Sequence, residues 1–148
     1  MRVIVQRSKE AKVVIDGKIQ GQIDKGMVVL VGFKETDTRA IVEKVVDKMI
    51  GLRIYSDEND KMNLSLKDVG GKILSISQFT LYASCKKGRR PSFIEAAKPD
   101  IAIPLYDYFN ECIKKAGVEV ETGIFGADMK VSLLNDGPVT IVLDSDEL

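Results

Sequence analysis

The 148-residue sequence contains no histidine. A Ser/His/Asp triad, a Cys/His pair and any histidine-bearing zinc site are therefore excluded. An enzyme built on this chain must work with hydroxyls, amides, backbone groups or the substrate itself. Long apolar runs are missing too: Met27-Val28-Val29-Leu30-Val31 is far short of the roughly 20 residues of a membrane helix. Met1-Arg2-Val3-Ile4-Val5 runs straight into Gln6-Arg7, so no secretory leader and no membrane association are expected. Only Cys85 and Cys112 are present, which points to reduced thiols and a cytoplasmic location. No charge excess exists either, with 22 basic against 22 acidic residues; a general polyanion binder would be basic, so any nucleic-acid contact must be local. No lysine-bearing phosphate loop surrounds Gly70-Gly71 or Gly123-x-x-Gly126. The acidic groups at Asp57, Glu58 and Asp60 and at Asp144, Asp146 and Glu147 lack calcium-loop spacing and read as solvated turns. No metal and no cofactor are implied.

What remains is ordinary globular composition, 45% apolar and 30% charged, enough for one domain over residues 1–148. Strands are expected at 2–6, 11–15 and 18–23, joined by an Asp16-Gly17 hairpin, and at 27–33, 53–55 and 72–79. Ile41, Val42, Val45, Val46, Met49 and Ile50 recur at helical spacing, capped by Thr36, Asp37 or Thr38 and ended by Gly51. A second helix is expected from Pro104 through Leu105, Tyr108, Phe109, Cys112, Ile113 and Ala116. Further strands are expected at 118–124, 129–134 and 139–144. About eight strands and two helices in a non-alternating order predict an α+β fold with a mostly antiparallel, barrel-like sheet.

Two segments that end strand-like runs carry the candidate chemistry. In Ser77-Gln78-Phe79-Thr80-Leu81, the Phe79 and Thr80 amides fall where pairing stops and could hold an oxyanion. Thr80 is the hydroxyl best placed at a strand end, although a β-branched residue also simply suits a strand. In Asn135-Asp136-Gly137-Pro138-Val139-Thr140, proline marks an edge, bulge or break; an ordinary turn with a trans bond is the plainer reading. The long polar connection 84–100 carries Lys86, Lys87, Arg89 and Arg90. Such a cluster is commonly a solvated loop, and its place just after Thr80 is what makes it a candidate. Cys85 lies beside two of these lysines, which could favour its thiolate.

Together these pieces resemble the D-aminoacyl-tRNA deacylases nearly end to end. The resemblance rests on Met1-Arg2 through Gln6-Arg7, Gly26 to Gly32, Met62-Asn63-Leu64-Ser65 and Ser77 to Leu81. It continues through Gly88-Arg89-Arg90-Pro91-Ser92-Phe93, Gly123-x-Phe125-Gly126-Ala127-Asp128-Met129 and Asn135 to Thr140. The pattern departs at Ser84-Cys85, where an acidic residue and a threonine are expected. The resemblance implies hydrolysis of the ester between a D-amino acid and the 3′-terminal adenosine of tRNA, a proofreading step. A filter that works by collision with a side chain cannot reject achiral glycine by handedness, so glycyl-tRNA is expected as a further substrate. It implies a homodimer with the site at the interface, where a Gly137-Pro138 cis-proline motif of one subunit, held by Arg7, enters the other's pocket and rejects L-aminoacyl esters. Ser77, Gln78, Phe79 and Thr80 would line that pocket. Lys86, Lys87, Arg89, Arg90 and Met129 would contact the RNA. Thr80 as nucleophile and the ribose 2′-hydroxyl assisting water are both open under the resemblance. The missing histidine favours the second, because the vicinal hydroxyl arrives with the substrate. A non-catalytic tRNA- or nucleic-acid-binding dimer is the competing reading, and a dimeric structural protein a third.

Overall fold

A computed structural model describes residues 1–148. Two long strands, β1 (Arg2–Ile15) and β2 (Lys18–Gly32), form a hairpin through Asp16-Gly17. Helix α1 (Arg39–Ile50), a small β3 (Tyr55–Ser56)–β4 (Met62–Leu64) ribbon and β5 (Lys72–Ser77) follow. A 3₁₀ turn (Phe79–Tyr82), helix α2 (Pro99–Lys115), β6 (Val120–Thr122), β7 (Lys130–Asp144) and a last 3₁₀ turn (Ser145–Glu147) complete the chain.

The α+β class holds, but the mostly antiparallel barrel does not. The main sheet is open and mixed, in the order β6-β5-β2-β1-β7. β1 pairs antiparallel with β2 and β7, while β5 pairs parallel with β2 and β6. Parallel neighbours need long crossovers. Here α1 with the β3–β4 ribbon supplies one and α2 the other.

Further boundaries differ from the sequence reading, and the strands expected at 18–23 and 27–33 are one continuous β2. The expected strands at 2–6 and 11–15 are one continuous β1, bent where Glu10 takes φ 40°. Those at 129–134 and 139–144 are one β7 interrupted by a bulge. Helix α2 begins at Pro99, whose fixed φ and missing N–H suit the first turn, so Pro104 lies inside it. The acidic tail is not free in solvent: Asp146 pairs with Lys34 at 2.6 Å, and Ser145 Oγ accepts from the Met1 amine at 2.6 Å.

Alternation along the strands decides the layering. Met27, Val29, Val31 and Ile73 face α1 and α2 in the main core, with Val42, Met49, Phe109 and Ile113. Val28, Leu74 and Ile76 point the other way, to a smaller cluster with Ala11, Val13 and Ile23. No helix covers that second cluster; half-buried Leu30, Met129, Val131 and Leu133 border it. α1 follows its periodicity closely, since Val42, Val45, Val46, Met49 and Ile50 are all buried. Thr38 caps it, accepting from Ile41 N at 3.4 Å. No helix is long and apolar enough to cross a membrane.

Candidate active site

The β5 strand stops pairing at Ser77, whose partner is Val31, and one last bond runs from Gln78 N to Val31 O at 2.7 Å. The chain then tightens into the 3₁₀ turn, closed by Leu81 N to Gln78 O and Ala83 N to Thr80 O. The first amides of such a turn have no acceptor within it. The N–H groups of Phe79 and Thr80 accordingly have no partner in the chain.

Opposite stands the segment after β6. Ala127 N bonds Ile124 O at 3.2 Å, and Gly123 N bonds Ser75 O at 3.1 Å, tying this wall to β5. A Cβ at Gly123 would lie 2.4 Å from the Met129 sulfur, so glycine is what lets Met129 lie flat against the wall. Phe125 is backed by Tyr106 of α2, with ring centroids 6.3 Å apart. The Tyr106 hydroxyl donates to Ser75 O at 2.8 Å, and burial pushes its phenol pKa up. Between the walls is a cleft of about 260 Å³, lined by Ser77, Gln78 and Phe79 on one side and by Phe125 to Met129 on the other, with Ile76 and Val131 at its base.

Of the expected site residues, Ser77, Gln78, Phe79 and Met129 line the cleft and Thr80 does not. Thr80 is exposed beside it and accepts from Gln78 Nε2 at 2.5 Å. An amide N–H cannot take a proton, so this contact orients the hydroxyl without activating it. Phe125, Ala127 and Val131 line the cleft as well, and local sequence assigns them no role. The motif around residues 123–129 was visible there, but which wall it forms depends on the sheet.

The second candidate segment is a bulge between β1 and β7. The ladder passes from Gln6↔Thr140 to Ser8↔Asn135, so residues 136–139 stand out opposite Arg7. Asn135 staples the bulge, accepting from Val139 N at 3.2 Å and donating to Thr140 Oγ1 at 3.0 Å. Arg7 braces it: Nε donates to Asp136 O at 3.0 Å, and Nη1 to Ile54 O at 2.7 Å. The Asp136 carboxylate lies 3.5 Å from Nε. Gly137 has φ 123°, and a Cβ there would sit 2.8 Å from Arg7 Nη2. The Gly137-Pro138 peptide is cis. Both residues are exposed, and neither lines the cleft of its own chain.

The basic loop is a closed hairpin. Ser84 and Ser92 exchange backbone bonds of 2.8 and 2.9 Å, and Phe93 packs edge-on against Phe79 with centroids 5.1 Å apart. Cys85 is an exposed free thiol and Cys112 a half-buried one. No cluster of three potential metal ligands occurs. In the Asp57 turn, the carboxylate accepts from Asn59 N and Lys61 N.

Known proteins resemble this chain over nearly its whole length. A relative in Geobacillus sp. (strain WCH70), named D-aminoacyl-tRNA deacylase, is 56% identical over 99% of this chain and 97% of its own length. One of the same name in Bacillus cytotoxicus is 59% identical over 98% of this chain and 99% of its own. A solved structure described as a c-Myc DNA Unwinding Element Binding Protein superposes with a TM-score of 0.91, at 37% identity, over 97% of this chain and 98% of that one. Another, a probable eukaryotic D-amino acid tRNA deacylase, shares the fold with a TM-score of 0.83 at 20% identity, over 96% of this chain and 97% of its own. The family model described as D-Tyr-tRNA(Tyr) deacylase matches residues 4–144, a span that holds both the cleft and the bulge. The chain belongs to the D-Tyr-tRNA(Tyr) deacylase family.

Proposed function

We propose that this chain hydrolyses the ester joining a D-amino acid to the 3′-terminal adenosine of tRNA, as the names of its full-length relatives describe for them. The observation that carries the mechanism is the conjunction, at one strand end, of a cleft, two unpartnered amides and no activated side-chain nucleophile. The ester carbonyl lies at the edge of the cleft, where exposed Thr80 stands beside Phe79, so that its oxygen meets the amides of both. These take up its charge as the carbonyl carbon becomes tetrahedral; one such donor is worth about 2.7–4 kcal/mol. Water adds to that carbon, assisted by the ribose 2′-hydroxyl, which is held vicinal at high effective molarity. The bond to the 3′-oxygen then breaks, and that oxygen takes the proton lost by the water. The free amino acid and a reusable tRNA leave. Gln78 and Thr80 position the ester, and Ser77 and Met129 shape the cleft.

Selection against L-amino acids is assigned to Gly137 and Pro138 of a second copy, entering the cleft with backbone carbonyls facing the substrate α-carbon. This is supported by their exposure and by their absence from the cleft of their own chain. The half-buried Leu30, Met129, Val131 and Leu133, which border the helix-free cluster, suit a homodimer. A backbone filter of this kind tolerates many D side chains and cannot reject glycine by handedness, so glycyl-tRNA is a substrate. Lys86, Lys87, Arg89 and Arg90 meet acceptor-end phosphates, and the enzyme acts in the cytoplasm, where aminoacyl-tRNA is used.

The name of the 37% identical structure favours one second reading, nucleic-acid binding without catalysis. Incubation with D-tyrosyl-tRNA and L-tyrosyl-tRNA separates the two. Hydrolysis of the D ester alone supports the enzyme; binding with neither ester cleaved supports the binding module.

A further inference from the structure

From Phe79 at the cleft an apolar strip runs outward to Phe93 and Ile94, which the hydrolytic chemistry does not use. Phe79 is 52% exposed, Phe93 41% and Ile94 89%, the last being the most exposed large hydrophobic residue of the chain. Phe93 and Phe79 meet edge to face, which leaves ring faces open rather than buried on each other. The strip adjoins Lys86, Lys87, Arg89 and Arg90, all exposed and none in an ion pair. Because the chain is neutral as a whole, these four cations stand against a remainder that is net negative. Open aromatic faces beside uncompensated cations are the combination that binds single-stranded nucleic acid, by stacking bases and tracking phosphates.

We infer that Phe93 is a stacking platform for an unpaired base next to the reacting nucleotide, so that the protein recognises a single-stranded RNA end. This rests on the reading of the cleft as the seat of the terminal aminoacyl-adenosine. Phe79 lines that cleft and touches Phe93, so a base against Phe93 is a direct neighbour of the reacting one. The reach agrees. The Ser84–Ser92 bridge closes a loop whose tip lies at most about 12 Å away, half its residues at full extension. Successive phosphates lie farther apart than the axial rise of about 3.4 Å per nucleotide, so cations within that reach meet the phosphates flanking such a base. Inside a duplex both faces of a base are stacked, and the last pair of a blunt end offers one face but cannot part to seat one of its bases in the cleft, so a duplex uses the platform poorly.

The test is fluorescence anisotropy on the full-length protein with an uncharged 5′-labelled tetranucleotide RNA, and with the same strand in a blunt duplex. The single strand binds at least tenfold tighter than the duplex. Phe93→Leu, which keeps the bulk and loses the ring, weakens single-strand binding about 5- to 30-fold, and Phe93→Trp holds it within about twofold. Undetectable binding by the wild type, equal binding by Phe93→Leu, or equal affinity for the duplex overturns the inference. So does a change in sedimentation coefficient with Phe93→Leu, which would mean that a second copy covers this strip. Ring-dependent binding without hydrolysis of any D-aminoacyl ester would sink the enzymatic reading and, with it, the place of the stacked base beside a reacting nucleotide, leaving only single-strand stacking on Phe93. Hydrolysis with ring-independent binding does the reverse.

Discussion

Arg7 is the point at which stability and selectivity should come apart. Its side chain is 12% exposed and braces the Asp136–Val139 bulge from β1 while also holding the Ile54 carbonyl. Hydrogen bonds from a charged donor are worth about 1.5–3 kcal/mol each. Two are lost in Arg7→Ala, and water can reach the half-exposed Asp136 to recover part of the cost, leaving a net loss of about 3 kcal/mol. At roughly 2–4 °C per kcal/mol for a domain of this size, Tm falls by about 6–12 °C. Arg7→Lys retains the charge but not the fork that reaches both carbonyls, so about half the loss is expected. That variant is folded at 25 °C, and there the consequence for function can be read. With the bulge loosened, kcat/KM for D-tyrosyl-tRNA falls at least tenfold and the D-to-L ratio narrows. Thermal melts and deacylation of both esters, measured on one preparation, supply the comparison. An unchanged Tm for Arg7→Ala refutes the bracing role. A lowered Tm for Arg7→Lys with unchanged kcat/KM and D-to-L ratio refutes the placing of the bulge at a substrate site.

Other consequences are simpler. Gly123→Ala puts a methyl against the Met129 sulfur and drives that flexible side chain into the cleft; KM rises about tenfold while Tm shifts by only a few degrees. Unchanged kinetics would mean that the cleft is not the substrate's seat. Burial holds the Tyr106 phenol pKa above its ordinary value, so stability is fully present below about pH 10, where the unfolded tyrosine begins to ionise, and is lost as pH rises from there. Tyr106→Phe should reduce that alkaline slope by up to about 1.4 kcal/mol per pH unit in urea titrations between pH 9 and 11; an identical slope contradicts the assignment. With four cations on the loop, log–log salt dependence of RNA binding should be no steeper than about −3, and a slope implying eight contacts would require a second basic surface.

The sequence made some of this legible and not the rest, for physical reasons. α1 could be read because its whole apolar stripe is buried against one sheet face. β1 was split because Ser8, Lys9 and Glu10 are not an apolar run; the ladder to β2 carries the strand through them. The barrel failed because β2 finds β5 across a forty-residue crossover, and local periodicity says nothing about that pairing. Ser77 to Phe79 could be placed at a site because a strand end frees amides, a local property. The opposite wall at Phe125 to Met129 could not, since only the parallel β5–β6 pair brings it within reach.

The central claim is that no side chain of this protein attacks the ester. Single-turnover deacylation of D-tyrosyl-tRNA by Thr80→Ala tests it directly. Losing one orienting hydrogen bond of about 1 kcal/mol should slow the chemical step no more than about tenfold. A loss of a thousandfold or more with unchanged binding, together with a D-tyrosyl ester trapped on Thr80 of the wild type, would contradict it.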